Sequence, residues 1–207
     1  MEKDPAARQY SQLAACYDQR WSFYNEASLR ETRKRLRLGD GERLLDVGCG
    51  TGLLLAALKE SNPGVTLSGT DPSSGMLAVA RERLGDAVTL TQGPAENLSF
   101  PDAGFDVVVS TSAFHYFRQP LDAVKEMHRV LRPGGRLVVS DWCVDYLTVR
   151  LLDAWLRFTD AAHFRTWGRK QLQHFLDEAG FEHVRVDRYR ISAFWGLMTA
   201  VANKPRG

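Results

Sequence analysis

The residues most able to do chemistry lie in Leu44 to Gly52, LLDVGCGTG, where an apolar run ends in an acid and three alternating glycines. Glycine serves where backbone must turn with positive φ and approach a ligand with no Cβ in the way. A glycine turn after a strand could hold a dinucleotide. Here, however, the spacing is G-x-G-x-G (Gly48, Gly50, Gly52) and no P-loop lysine follows. Asp46 adds a carboxylate that repels a pyrophosphate and tolerates an ammonium or sulfonium. Asp71 stands nineteen residues beyond Gly52, the place from which an acid reaches ribose hydroxyls in nucleoside-binding α/β folds. Met76 either packs on a purine face or is plain core, and Gly93, Pro94, Ala95 and Glu96 would edge the base. His115, in AFHYF, is a candidate general base, since an ordinary imidazole pKa of about 6.5 permits the role; a structural histidine is the alternative. His128, in EMHRVL, reads as structural.

These groups need a scaffold that brings distant turns to one edge. Residues 43–142 supply it, with apolar runs at 43–47, 65–70, 87–92, 105–110 and 135–142 alternating with helical stretches at 52–60, 73–84 and 121–131. Such runs suit strands buried on both faces, and the alternation implies right-handed βαβ crossovers. Past residue 167, a helix ending at Gly180 precedes EHVRVDRY and ISAFWGLMTAVAN, which suggests an antiparallel edge hairpin.

Two segments fall outside that alternation. In the first, Tyr10, Leu13, Ala14, Tyr17, Trp21 and Tyr24 recur at helical steps, so one face carries an aromatic stripe that either docks on the main domain or closes over a ligand. In the second, residues 143–167, Tyr146, Leu147, Leu151, Trp155 and Phe158 make a comparable stripe where an α/β sheet binds ligands. Between the first segment and the sheet lie Arg30, Arg33, Lys34, Arg35 and Arg37, either a solvated helix face or a peripheral contact with anionic lipid.

LLDVGCGTG, then GTDPSSGML, GPAENLSFPDAGFDVVVSTSAFHYF and EMHRVLRPGGRLVVSDW, in this order, resemble the class I S-adenosylmethionine-dependent methyltransferases, especially the branch containing the ubiquinone/menaquinone-biosynthesis enzymes. The resemblance spans about residues 42–142. It implies a Rossmann-like α/β fold whose seven-stranded, mostly parallel sheet has order 3-2-1-4-5-7-6, with strand 7 antiparallel and helices on both faces. An N-terminal helical lid (1–40) would precede the cofactor domain (41–207), which carries the insertion at about 143–167. Gly48 and its neighbours Asp46, Cys49, Gly50 and Gly52 would hold the methionine part, Asp71 the ribose, and Ala95 with Glu96 the adenine. Tyr17, Pro72, Met76 and Ser110 complete the implied cofactor set. Pro94 departs from the Asp or Asn often found there, which throws the adenine edge onto Ala95 and Glu96. Ser110, Thr111, Ser112 and Ala113 replace the Asn/Asp-Pro-Pro-Tyr of amino-methylating nucleic-acid enzymes.

The implied activity is methyl transfer from S-adenosylmethionine, leaving S-adenosylhomocysteine, to a small apolar or lipid-like acceptor; a non-catalytic module binding the same cofactor is the alternative. Composition agrees. With 207 residues, 27 Lys plus Arg and 25 Asp plus Glu, no global field advertises a nucleic-acid partner. Cys16, Cys49 and Cys143 fit neither a disulfide framework nor a zinc site, and in-line methyl transfer needs no metal. The absence of a leader-like or spanning apolar segment suggests a cytoplasmic protein, peripheral to the membrane if the basic run engages lipid.

Overall fold

The computed structural model describes residues 5–160 and 162–207, so residues 1–4 of the expected lid segment and Ala161 of the expected insertion lie outside the described residues. Strands β1 (Arg43–Val47), β2 (Thr66–Asp71), β3 (Thr89–Gln92), β4 (Phe105–Thr111), β5 (Leu131–Trp142), β6 (Glu182–Arg190) and β7 (Gly196–Asn203) form one sheet. Its order is β3-β2-β1-β4-β5-β7-β6, and β7 runs antiparallel to both β5 and β6. The other pairings are parallel, which is the expected topology. Helices α1 (Pro5–Arg20), α2 (Ser22–Arg33), α3 (Leu53–Ser61), α4 (Ser74–Leu84), α5 (Pro120–Val130), α6 (Leu147–Thr159) and α7 (Arg169–Glu178) surround it.

The apolar runs are buried on both faces because successive strand residues point to opposite sides. Leu45, Val108, Leu137 and Val139 join the α5 and α7 residues Val124, Met127, Leu172 and Leu176 in one core. Leu44, Val107, Val109 and Val138 join Leu54, Leu55, Leu58, Leu77 and Ala80 of α3 and α4 in the other. Each such side chain contributes about 1.5–3 kcal/mol when fully buried, so β1, β4 and β5 form the rigid centre.

Local signals set the helix ends. Ser73 caps α4 by accepting from the Met76 amide at 3.1 Å, and Pro120 opens α5 at a position where its missing N–H is no loss. The sequence expectation starts the fifth strand at residue 135, whereas β5 begins at Leu131. Leu131 pairs with Phe105 before the ladder jumps to Arg136 opposite Val107; Pro133 sits in that irregularity, where a residue without a ladder donor is tolerated. The aromatic N-terminal stretch is two helices that break at Trp21.

Candidate active site

β1 lies between β2 and β4, so the connections leave it towards opposite sides of the sheet, and a crevice opens at the carboxyl ends of these strands. It holds a cavity of about 570 Å³. The turn after β1 bends through positive φ at Gly48, Gly50 and Gly52, 78°, 53° and 78°. A Cβ on Gly50 would meet no heavy atom within 4 Å, so this backbone faces open space. Asp71 shapes the turn: one carboxylate oxygen accepts from the Gly50 amide at 2.9 Å and the other from the Ser73 amide at 2.9 Å. Its acid is therefore both cavity wall and brace for the backbone a ligand would touch.

The charge balance selects the ligand. Asp46 is buried on the cavity wall, and its Oδ1 has no hydrogen-bond partner. Burial, reinforced by the nearby Asp71 carboxylate, pushes its acid up to about 8. A cation placed here would restore the ionised form, whereas a phosphate would keep Asp46 protonated and still face the Asp71 carboxylate. The cavity thus fits a cofactor with ammonium and sulfonium charges. The same causes, burial first, push the Cys49 thiol well above its usual range and leave it protonated.

Of the expected cofactor residues, Tyr17, Asp46, Gly48, Cys49, Gly50, Asp71, Pro72, Met76, Ala95 and Glu96 line this cavity. Two do not. Gly52 is packed inward, where a Cβ would come within 2.9 Å of Leu84 and 3.2 Å of Ala80; its glycine serves the contact between the turn and α4. Ser110 is fully buried inside β4, and the next residues, Thr111, Ser112 and Ala113, reach the cavity instead. The expectation overlooked Asn25 and Ser28, which α2 turns towards the cavity. Asn25 Nδ2 is buried without a partner. Their three-residue spacing on the helix that carries Tyr24 was the available signal.

Helix α1 roofs the cavity. Ser11 Oγ lies 2.8 Å from Ser73 Oγ and accepts from the Gly75 amide at 3.2 Å. Thr51 donates to Asp18 at 2.7 Å, and Arg83 ion-pairs with Asp18. The Tyr10 and Tyr116 hydroxyls are hydrogen-bonded to each other, with Tyr17 edge-on to the Tyr10 ring at 5.6 Å.

Behind that roof lies a second chamber of about 740 Å³, sharing Tyr10, Tyr17, Ser112 and Tyr116 with the first. Trp21, Tyr24, Trp142, Trp155 and Trp195 give it aromatic walls. His115 belongs to this chamber and not to the first cavity. It sits in a short 3-10 turn after β4, its ring stacked on Trp142 at 4.4 Å, and its Nδ1 is 2.6 Å from Asp141 Oδ1. Asp141 also accepts from the His115 and Trp142 amides, at 2.9 and 2.6 Å. His115 Nε2, on the other side of the ring, is buried without a hydrogen-bond partner. His128 packs edge-on against Phe181 and lines neither cavity.

The chamber opens beside α6, whose Leu147, Leu151, Trp155 and Phe158 are exposed, Phe158 at 91%. Phe194 is exposed beside them on the chamber wall. In the basic run, Glu31 gathers Arg30, Lys34 and Arg35 at 3.8, 2.6 and 3.1 Å, and Arg35 also lies over the Tyr189 ring at 4.7 Å. Only Arg33 and Arg37 of the five remain exposed with no ion pair among the described residues. No described helix is long and apolar enough to cross a membrane, and no cluster of metal-ligating side chains occurs among the described residues.

Residues 45–139 match the family described as "Methyltransferase domain". A demethylmenaquinone methyltransferase of Listeria monocytogenes is 31% identical over 183 residues, covering 75% of this chain and 76% of that protein. The chain belongs to the class I S-adenosylmethionine-dependent methyltransferases. A demethylmenaquinone methyltransferase of Thermus thermophilus is 39% identical over 142 residues, 64% of this chain, and this chain spans 64% of that relative's length. In fold it resembles the methyltransferase solved in complex with the Haloferax volcanii Trm112 activator, with TM-score 0.83, 22% identity and coverage of 95% of this chain and 97% of that one. Membership of this family makes sense of a cavity that pairs a glycine turn with an unpartnered Asp46.

Proposed function

We propose that the protein transfers the methyl group of S-adenosylmethionine to a small, largely apolar or lipid-like acceptor bound in the aromatic chamber. The observation that carries this reading is the shared wall: the cation-seeking cavity and the aromatic chamber meet at Tyr10, Tyr17, Ser112 and Tyr116. In-line displacement needs a donor and an acceptor held on opposite sides of one short gap, and alignment alone supplies much of the acceleration. Tyr17 can offer its ring face to a sulfonium, worth about 0.5–2 kcal/mol. For an acceptor with a dissociable proton, His115 Nε2 takes that proton as the acceptor's lone pair bonds the methyl carbon. Bound S-adenosylmethionine would supply the methyl group from its sulfonium and keep the carbon–sulfur electron pair as a neutral thioether.

A quinone-type carbon is favoured among acceptors by the names of the relatives, with the amine or hydroxyl of a phospholipid or secondary metabolite as the other classes. A peripheral membrane contact through Arg30, Arg33, Lys34, Arg35 and Arg37 has weaker support, because Glu31 already engages three of them; the exposed α6 ridge is the better candidate to face lipid. The second reading, a non-catalytic module, keeps the cofactor cavity and loses the chemistry.

The test is incubation with methyl-labelled S-adenosylmethionine and a total extract of the source cells, followed by separation of lipid from aqueous products. Label in an extractable lipid supports the proposal. Tight S-adenosylhomocysteine binding with no transfer to any metabolite supports the module, and no cofactor binding by the folded protein overturns both.

A further inference from the structure

Helix α6 turns one face to solvent. Leu147, Leu151, Trp155 and Phe158 follow one another at helical steps and so share that face, exposed by 60%, 63%, 60% and 91%. The charges beside this strip are arginines. Arg150 and Arg157, two helical turns apart on one flank of it, are both exposed. Arg150 has no ion pair among the described residues, and Arg157, its side chain 43% exposed, reaches Asp153 at 3.4 Å. Asp153 is the one acid of the helix, and it is buried on the inner side, its Oδ1 lying 2.8 Å from His163 Nε2.

The turn before β7 extends the strip. Thr148 donates to the Phe194 carbonyl at 2.7 Å, which ties that turn to α6, and the Phe194 ring is exposed there. Arg190, also exposed, donates to the Ala193 carbonyl of the same turn at 2.7 Å and lies over the Tyr146 ring at 4.6 Å. Trp155 and Phe194 belong at once to this outer surface and to the wall of the aromatic chamber. An apolar strip edged by arginines, whose stems can lie along it while their heads reach outward, matches a surface that is apolar within and anionic at its boundary. A second copy of the chain fits less well. A two-fold contact sets the same patch against itself, placing arginines opposite arginines with no exposed acid on α6 to pair them.

We propose that this strip is an interfacial docking surface for an anionic lipid bilayer, which takes in Leu151, Trp155 and Phe158 while Arg150, Arg157 and Arg190 meet the headgroup phosphates. The mouth of the chamber then faces the acyl boundary, so that a lipid-like acceptor passes from the bilayer into the chamber without crossing water. That use of the surface rests on the methyltransferase reading. The docking itself requires neither cofactor nor acceptor.

The test is flotation of the full chain with vesicles of phosphatidylcholine alone and of equimolar phosphatidylcholine and phosphatidylglycerol. Partition to the anionic vesicles should be at least about tenfold stronger, and Arg150→Glu combined with Arg157→Gln should remove that preference. Depth is read separately, from tryptophan fluorescence of the unmodified protein on vesicles with brominated acyl chains. Trp155 is the exposed tryptophan, so bromine should quench the emission, and Trp155→Phe should remove most of that quenching. S-adenosylhomocysteine binding retained by the variants shows that they fold. No flotation, equal flotation with both vesicles, or flotation without quenching would overturn the proposal. A dimer in solution that Phe158→Ser dissociates, with no flotation, would overturn it in favour of a second copy. Flotation by a protein that fails to bind S-adenosylhomocysteine would instead strike the methyltransferase reading and leave the docking surface in place.

Discussion

The two cavities meet along four residues and are made of different material. The cofactor cavity is walled largely by strand ends and turns, with backbone exposed at Gly50 and braced by Asp71. The aromatic chamber is walled by side chains from α1, α2, β5, α6 and the turn before β7. A backbone wall cannot be altered one group at a time without disturbing the fold, whereas a side-chain wall can. Substitution of single side chains should therefore reshape the aromatic chamber more readily than the glycine-turn side of the first cavity.

The largest effect that would break this contrast is expected at Gly50. Gly50→Val puts a branched side chain at φ 53°, costing about 1–2 kcal/mol of stability, and fills space otherwise open to the ligand. Cofactor affinity by calorimetry should fall at least about a hundredfold, or ~2.8 kcal/mol. Unchanged affinity would remove the glycine turn from the site.

Asp46 gives the next largest effect. Its acid is raised in the folded protein to about 8, from about 4 in an unfolded chain. The folded state thus holds the proton longer. Stability from this group is fully present below pH 4 and is lost as pH rises through about 8, by at most ~1.4 kcal/mol per pH unit. A cationic ligand reverses the preference, so S-adenosylmethionine affinity should climb with pH to about 8 and level off. Asp46→Asn should flatten both profiles; a persisting rise would place the titrating group elsewhere.

The smallest effect belongs to the chamber's rim. Phe158 is 91% exposed, so Phe158→Ser should change stability by less than about 0.5 kcal/mol and leave S-adenosylhomocysteine affinity alone. The fraction of protein that floats with anionic phospholipid vesicles should nevertheless fall. If flotation does not change, the α6 ridge faces something other than lipid.

The same contrast explains what could be read in advance. The cofactor side was legible because backbone geometry demands particular residue types at fixed offsets: glycines at a positive-φ turn, an acid at the end of β2, and apolar runs for strands buried on both faces. The two expected residues that lie off the cavity follow from that logic. Gly52 shares the glycine spacing but packs against Leu84, and Ser110 stands one residue too early on β4 to reach the cavity. The aromatic chamber lacked such constraints. His163, Asp153, Trp195 and Asn25 come from separate elements joined only by the tertiary fold, and no spacing rule links them. For His115, a candidate base, no spacing rule shows its pairing with Asp141, which reaches it across 26 residues of chain.

Helix α1 supplies Tyr10 and Tyr17 to both cavities at once. It is fastened at two places, by Ser11 on Ser73 and Gly75 and by Asp18 on Thr51 and Arg83. Whatever displaces this helix takes a wall from both cavities together. The two cavities are thereby tied to one mechanical element, so that a change which shifts α1 is felt in both at once.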